Sequence, residues 1–330
     1  MRNYVRLTVV ILLFFSSCQK ADNTAKVSDE LLPEISQRNC AAAEVLEEQL
    51  AADPGLAVRM QAIENFTKKA IQDKEVARLM ANVTIQIPVV VNVLYRSDDE
   101  NISDAQIQSQ IDVLNEDYQG KNSDLSLVPT VFKQSNQGFP IEFVLKDIVR
   151  KKCKQKNWAP NDAMKKSSQG GIDPTDPQHN LNMWSCNLGQ SLLGYAQFPG
   201  GKEATDGVVI LYASFGSRTK YPGGTYINKY DKGRTATHEV GHWMNLRHIW
   251  GDAACGNDLV GDTPPHKTAN YGCPGVIPIT CPNTTSYTRE MTMNYMDYTD
   301  DGCMYLFSNG QKDRMMAIFA NGGPRYALAQ

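Results

Sequence analysis

The sequence predicts a mixed α/β (α+β) domain that begins near residue 84 and runs to the end of the chain, with a short helical segment ahead of it. Three observations carry this. β-Branched runs alternate with amphipathic helical stretches from residue 84 onward. Residues 41–80 are rich in Ala, Glu and Leu, with one break at Asp53-Pro54-Gly55. Residues 251–290 carry many Pro, Gly, Thr and Cys and few apolar runs, so they read as an irregular region held by disulfides.

The elements follow in chain order. Arg2 and Arg6 precede an apolar run, 7–15, and then Ser16-Ser17-Cys18. A short basic region, an apolar stretch and small residues describe a signal peptide over 1–17. The run is too short to span a membrane, which takes ~20 apolar residues; an uncleaved anchoring helix is the alternative. Small residues directly before a cysteine resemble a bacterial lipobox, which implies lipidation of Cys18, with plain secretion as the other outcome. The protein is therefore expected to be exported, either secreted or lipid-anchored to a bacterial membrane. Residues 18–80 then form a tether and a pro-segment. "TIQIPVVVNVLY", 84–95, reads as a buried strand. Ser103-Asp-Ala-Gln106 is a capping box opening a helix that ends near Gly120. Residues 141–149, 180–188 and 206–216 read as further strands, 217–233 as loop, and Ser308-Asn-Gly-Gln311 caps a last helix through Phe319.

The chain has 330 residues, 42% hydrophobic and 21% charged, with a formal charge of −3. That balance gives no reason to expect nucleic acid or an anionic membrane surface as a partner. A monomer is expected, with any membrane contact made through the N-terminal lipid. Of its eight cysteines, Cys18 is set aside for lipid and Cys40 stands alone near the start. Cys153, Cys186, Cys255, Cys273, Cys281 and Cys303 remain, and in an oxidising compartment they favour disulfides. Six cysteines allow about fifteen connectivities, among which spacing alone does not choose.

The chemistry concentrates in "HEVGHWMNLRHIWGD", 238–252, which holds three of the five histidines. His238 and His242 lie one helical turn apart on one face and can point at one metal. Glu239 sits beside the first, placed to take a proton from the attacking water. A continuous helix would carry His248 roughly 15 Å along the axis from His238. The chain must instead leave the helix after Met244 and turn back. Asparagine tolerates the left-handed conformation such a turn needs, so Asn245 is expected to make it. Three imidazoles with one open position are the layout of catalytic zinc.

H-E-x-x-H-x-x-N-x-x-H resembles the metzincin zinc-peptidase consensus, with Asn245 in place of its glycine. Together with "DLVGDTPP" and "NYMDYTDDGCMYLFSNGQKDRM" it resembles the pappalysin family of metzincins. The resemblance implies a metzincin-type catalytic domain over 81–330. That domain has a mixed twisted sheet, an active-site helix, an N-terminal subdomain to about 248 and a disulfide-stapled C-terminal subdomain after it. It implies a zinc endopeptidase made as a zymogen and acting on peptides or proteins. Met296 matches the methionine of the tight turn beneath the zinc, and Tyr298 a tyrosine able to donate to the oxyanion. Asp258, Gly261, Asp262 and Thr263 match a calcium-binding region, although the same residues also serve as turn formers. Disulfides Cys255–Cys281 and Cys273–Cys303 are implied; Cys153 and Cys186 are then left, and are expected to pair. "RNC", 38–40, resembles a cysteine switch in which the Cys40 thiolate fills the open metal position; a disulfide is its alternative. The segment would be removed between Cys40 and Thr84, with cleavage before Lys68, Lys74 or Arg78. Asp301 matches an aspartate at the bottom of the pocket for the residue after the scissile bond, which implies a preference for Arg and then Lys there. Asp300 is the neighbouring acid able to take that role. The rival readings are an inactive zinc-binding module on the same fold and a zinc hydrolase acting on non-peptide substrates.

Overall fold

A computed structural model describes residues 35–135, 138–279, 281 and 289–330. The signal sequence and Cys18 lie outside these. No helix among the described residues is long and apolar enough to cross a membrane.

Five strands form the main sheet: β1 (Ile85–Tyr95), β2 (Ile141–Lys152), β3 (Leu181–Cys186), β4 (Gly194–Ala196) and β5 (Val208–Leu211). Their order is β2-β1-β3-β5-β4. All neighbours run parallel except β4, which is antiparallel to β5. The β-branched composition of β1 follows from this, because a parallel strand is covered on both faces; Val89, Val90, Val91 and Val93 are all fully buried. The antiparallel strand is also the sheet's edge, so β4 offers unpaired backbone groups to whatever lies beside it.

Three helices precede the sheet: α1 (Ala42–Ala52), α2 (Leu56–Gln72) and α3 (Glu75–Asn82). The break at residues 53–55 falls where the sequence places it. Rather than standing apart, α2 and α3 pack on α6 (Asn309–Ala317). Helix α4 (Asp104–Tyr118) covers β2 and meets α5 (Arg234–Trp243), which in turn packs on β4 and β5.

The two capping sequences behave differently. At α6 both halves of the box form: the Ser308 hydroxyl accepts from the Gln311 N–H, and the Gln311 side chain accepts from the Ser308 N–H. At α4 only half forms. Ser103 accepts from the Gln106 N–H, but the Gln106 amide turns away and donates to the Phe215 and Thr225 carbonyls at 2.9 and 3.0 Å. Tertiary anchoring of the loop before α5 outcompetes the local cap.

Cys255–Cys281 and Cys273–Cys303 are bonded. The third expected bridge is not formed: Cys153 and Cys186 are free thiols. The sheet order explains it. Cys153 follows β2 and Cys186 ends β3, with β1 between them. Two strand spacings separate residues by ~9–10 Å, beyond the ~7 Å that a disulfide tolerates.

Candidate active site

Helix α5 supplies His238, Glu239 and His242, and ends at Trp243. Asn245 then adopts φ 75°, the left-handed turn its sequence position called for. Its carbonyl is held by the Arg314 guanidinium at 2.8 Å. The returning chain brings the His248 ring to the other two. The Nε2 atoms of His238 and His242 are 3.1 Å apart, as are those of His242 and His248.

Each ring is oriented from behind through Nδ1. His238 donates to the Tyr295 carbonyl at 2.7 Å, His242 to the Leu246 carbonyl at 2.8 Å, and His248 to the Asp252 carboxylate at 2.5 Å. With each Nδ1 carrying the proton, three Nε2 lone pairs converge on one buried point. Burial, reinforced by the neighbouring imidazoles, pulls His238 well below the usual histidine range and His242 down to about 3. These two rings are therefore neutral, as metal ligation requires. Facing lone pairs at this separation repel unless a cation lies among them, so the donor set fits a zinc ion held by His238, His242 and His248.

The Cys40 sulfur is the fourth atom of the cluster, within 4.8 Å of the three histidine nitrogens. It also donates to Glu239 Oε2 at 3.3 Å. Burial pushes the Glu239 carboxyl up to about 8, against the pull of Cys40 and Arg38. Burial and the charge of Glu239 raise the Cys40 thiol well above its ordinary value. The segment around Cys40 lies along the free edge of β4. Leu193 N–H donates to the Asn39 carbonyl at 2.9 Å and Ala41 N–H to the Gly194 carbonyl at 3.1 Å, a parallel pairing. Gly194 makes the approach possible: a β-carbon there would lie 2.9 Å from Glu239 Oε1.

Beneath the histidines, Met296 is fully buried. A β-carbon at Gly241 would lie 2.6 Å from its sulfur, so the glycine inside the zinc-helix motif lets the methionine lie flat against α5. The turn is pinned from α6: Gln311 bonds Asn294, whose side-chain oxygen accepts from the Met296 N–H at 2.9 Å. Tyr298 stands beside the rings, 5.0 Å from His248 by centroid, and its hydroxyl donates to the Cys40 carbonyl at 3.0 Å.

Asp301 is buried, and Arg38 lies against it. The guanidinium reaches Asp301 Oδ1 at 2.6 Å and the Thr299 carbonyl at 3.2 Å, and it lies over the Tyr230 ring. Asp301 Oδ2 accepts from the Lys232 and Arg234 backbone N–H groups at 2.9 and 3.2 Å. The Asp300 N–H donates to the Gly272 carbonyl at 2.9 Å. Of the four residues in the expected calcium region, Asp258 accepts from the Thr263 hydroxyl at 2.7 Å. Asp262 accepts from the Ser308 hydroxyl and the Gly310 N–H at the start of α6, and Gly261 has open space around it.

Sequence reasoning missed Arg38, Asp252 and Gly194. The first two had legible signals, an arginine two residues before the lone cysteine and an acid four residues after the third histidine. Gly194 had none.

A family profile described as pregnancy-associated plasma protein-A matches residues 196–320. An extracellular metalloprotease of Pyricularia oryzae is 34% identical over 289 residues, which cover 85% of this chain and 88% of that protein. Among solved structures, a Glu-to-Ala mutant of Tannerella forsythia promirolysin is 41% identical, with a TM-score of 0.78 over 88% of this chain and 97% of its own. Mature Tannerella forsythia mirolysin in complex with a cleaved peptide is 44% identical, with a TM-score of 0.70 over 75% of this chain and 96% of its own.

Proposed function

The chain belongs to the pappalysin family of zinc metallopeptidases, and from that premise we propose that it is an exported endopeptidase made as a zymogen and cutting before arginine or lysine. The observation that carries this reading is the buried convergence of three imidazole nitrogens beside Glu239, with the Cys40 sulfur in the remaining position.

His238, His242 and His248 would hold the zinc. When bound, zinc supplies Lewis acidity toward the scissile carbonyl and the attacking water. Glu239 takes the proton of that water and passes it to the leaving amine. The Tyr298 hydroxyl, which meets the Cys40 carbonyl in the zymogen, donates to the carbonyl oxygen of a substrate as negative charge develops there. Met296 packs under the rings as a soft apolar floor.

Specificity is supported by the zymogen's own contact. Arg38 places one guanidinium nitrogen on the buried Asp301 carboxylate and another on the Thr299 carbonyl, and a substrate Arg after the scissile bond has the same chemistry, with Lys second. The pro-segment runs against the direction of a substrate. In a substrate the bond to be cut lies just before the arginine; here Cys40, at the metal position, comes after Arg38. The segment therefore occupies the cleft without offering its own bond in a productive register. Its removal falls between Cys40 and Thr84, leaving the catalytic domain. Cys18 carries a lipid if the exported chain is anchored. Calcium binds near Asp258 and Thr263, whose oxygens are adjacent.

The test is digestion of a denatured protein by the processed enzyme, with cut sites mapped by mass spectrometry and zinc measured on the same sample. Cleavage before Arg and Lys is expected, with one zinc retained and turnover nearly abolished in Glu239→Ala. Comparable turnover in Glu239→Ala would sink the mechanism. Zinc binding without cleavage would favour an inactive module.

A further inference from the structure

Two parts of the cleft have a named occupant in the zymogen, Arg38 on Asp301 and Cys40 among the histidines. A third part does not yet have a role. Beyond Cys40 the chain enters α1, and Ala42 joins Cys40, Phe198, Ala269 and Tyr298 in one buried apolar cluster. Leu46, Met60 and Trp250 pack against it. Three of these residues, Ala42, Leu46 and Met60, belong to the helical segment ahead of the sheet. Cys40 precedes them in the same segment, and Phe198, Trp250, Ala269 and Tyr298 belong to the catalytic domain.

We propose that Phe198, Trp250, Ala269 and the face of Tyr298 form an apolar subsite for a substrate side chain on the amino-terminal side of the scissile bond. This rests on the peptidase reading above, because it takes the Asp301 pocket to receive the residue after that bond. Whatever lies across the metal position from Asp301 then receives the residues before it. Ala42 and Leu46 lie there, since they follow Cys40 as Arg38 precedes it.

The walls do not depend on the segment that covers them. Phe198 follows β4 directly, and its ring packs on His242 with centroids 5.2 Å apart. Trp250 stacks on His248 at 4.3 Å and 6°, and meets Tyr298 edge-on at 4.7 Å. These rings are fixed by the metal ligands, so they stay in position when α1 leaves. Ala269 is the small residue among three aromatic rings, and Ala42 and Leu46 pack in the same cluster. Removing the segment exposes an apolar recess beside an edge strand that pairs with extended chain, as the backbone bonds of Asn39 and Ala41 demonstrate. Phe198, Trp250, Ala269 and the Tyr298 ring present apolar surface to the side chains packed on them. Acidic and basic residues would lose solvation against these rings, whereas Leu, Met and Phe gain burial.

The experiment uses the processed enzyme and a peptide library with Arg fixed after the scissile bond and four randomised positions before it. We expect Leu, Met or Phe at one of those positions to be favoured about tenfold or more over Asp and Gly in kcat/KM. Ala269→Trp fills the recess and should flatten that preference while the demand for Arg persists. Should Ala269→Trp fail to retain zinc, Ala269→Val narrows the recess and should shift the preference from Phe toward Ala. Absence of apolar enrichment, or enrichment unchanged in the folded Ala269 variant, overturns the proposal. Apolar enrichment in an all-position library without any for Arg or Lys would instead overturn the Asp301 assignment and leave this subsite standing.

Discussion

Arg38→Ala in the precursor isolates the energetic contribution of the pocket contact to latency. Both side chains of the pair are at most 1% exposed and 2.6 Å apart. Removing one partner of a buried ion pair typically costs ~3–5 kcal/mol. The lower end applies here, because Asp301 keeps two backbone donors, the Lys232 and Arg234 N–H groups. A loss of ~3 kcal/mol shifts the balance between seated and displaced pro-segment by about 100-fold. Freshly purified Arg38→Ala precursor should therefore hydrolyse a fluorogenic Arg peptide at once and process itself far faster than wild type. Arg38→Lys keeps the charge but loses the planar fork over Thr299 and Tyr230, so an intermediate effect of about tenfold is expected. In a double-mutant cycle with Asp301→Ala, scored on pro-segment displacement, the two losses should be strongly non-additive. Wild-type latency in Arg38→Ala, or simple additivity in the cycle, would refute the reasoning.

Four further outcomes are expected. Cys40→Ala should give a precursor active on isolation, read by the same peptide; unchanged latency would count against the thiol as the blocking group. Asp252→Ala removes the acceptor that orients His248 and should weaken zinc affinity ~10–100-fold, measured by competition with a chromogenic chelator. Gly194→Ala places a methyl 2.9 Å from Glu239 and should lower kcat with zinc content unchanged; full activity would show that the edge strand can yield. Burial raises Asp258 from 3.8 to about 6, so without calcium this group's contribution to stability is present below pH 4 and lost as pH rises through 6. Calcium should abolish that loss, and a thermal melt across pH 4–7 with and without the ion decides it.

Much of the site was legible because it is local. His238, Glu239 and His242 are set by helical spacing, and Asn245 by the need for a turn that few residues other than glycine tolerate. What was not legible is what arrives from elsewhere in the chain. Two of the three acceptors behind the histidines are the carbonyls of Tyr295 and Leu246, and any residue type presents a carbonyl. β4 is three residues long, too short for a period to show. The expectation for Cys153 and Cys186 failed for a related reason. Leftover cysteines carry no spatial information, and β1 lies between their strands. At α4 the half-formed cap shows a local motif giving way to a distant demand, since Gln106 is needed by the 212–225 loop.

On the proposed zymogen reading, the latent state blocks each part of the chemistry by a different contact, and the order of residues in the segment makes this possible. The Cys40 thiol takes the position that water would use and engages Glu239 at the same time. Tyr298 donates to a carbonyl, but that carbonyl is the one of Cys40 itself, so the bond nearest the hydroxyl belongs to the residue whose side chain excludes the water. Arg38 meanwhile supplies the affinity of a preferred substrate residue from the wrong side of the metal position. A segment running in the substrate direction, with the arginine after the bond at the metal, would hold the same pocket and be cut. If Asp301 lines the proposed specificity pocket, reversal would let the pro-segment use it for binding without entering the reaction.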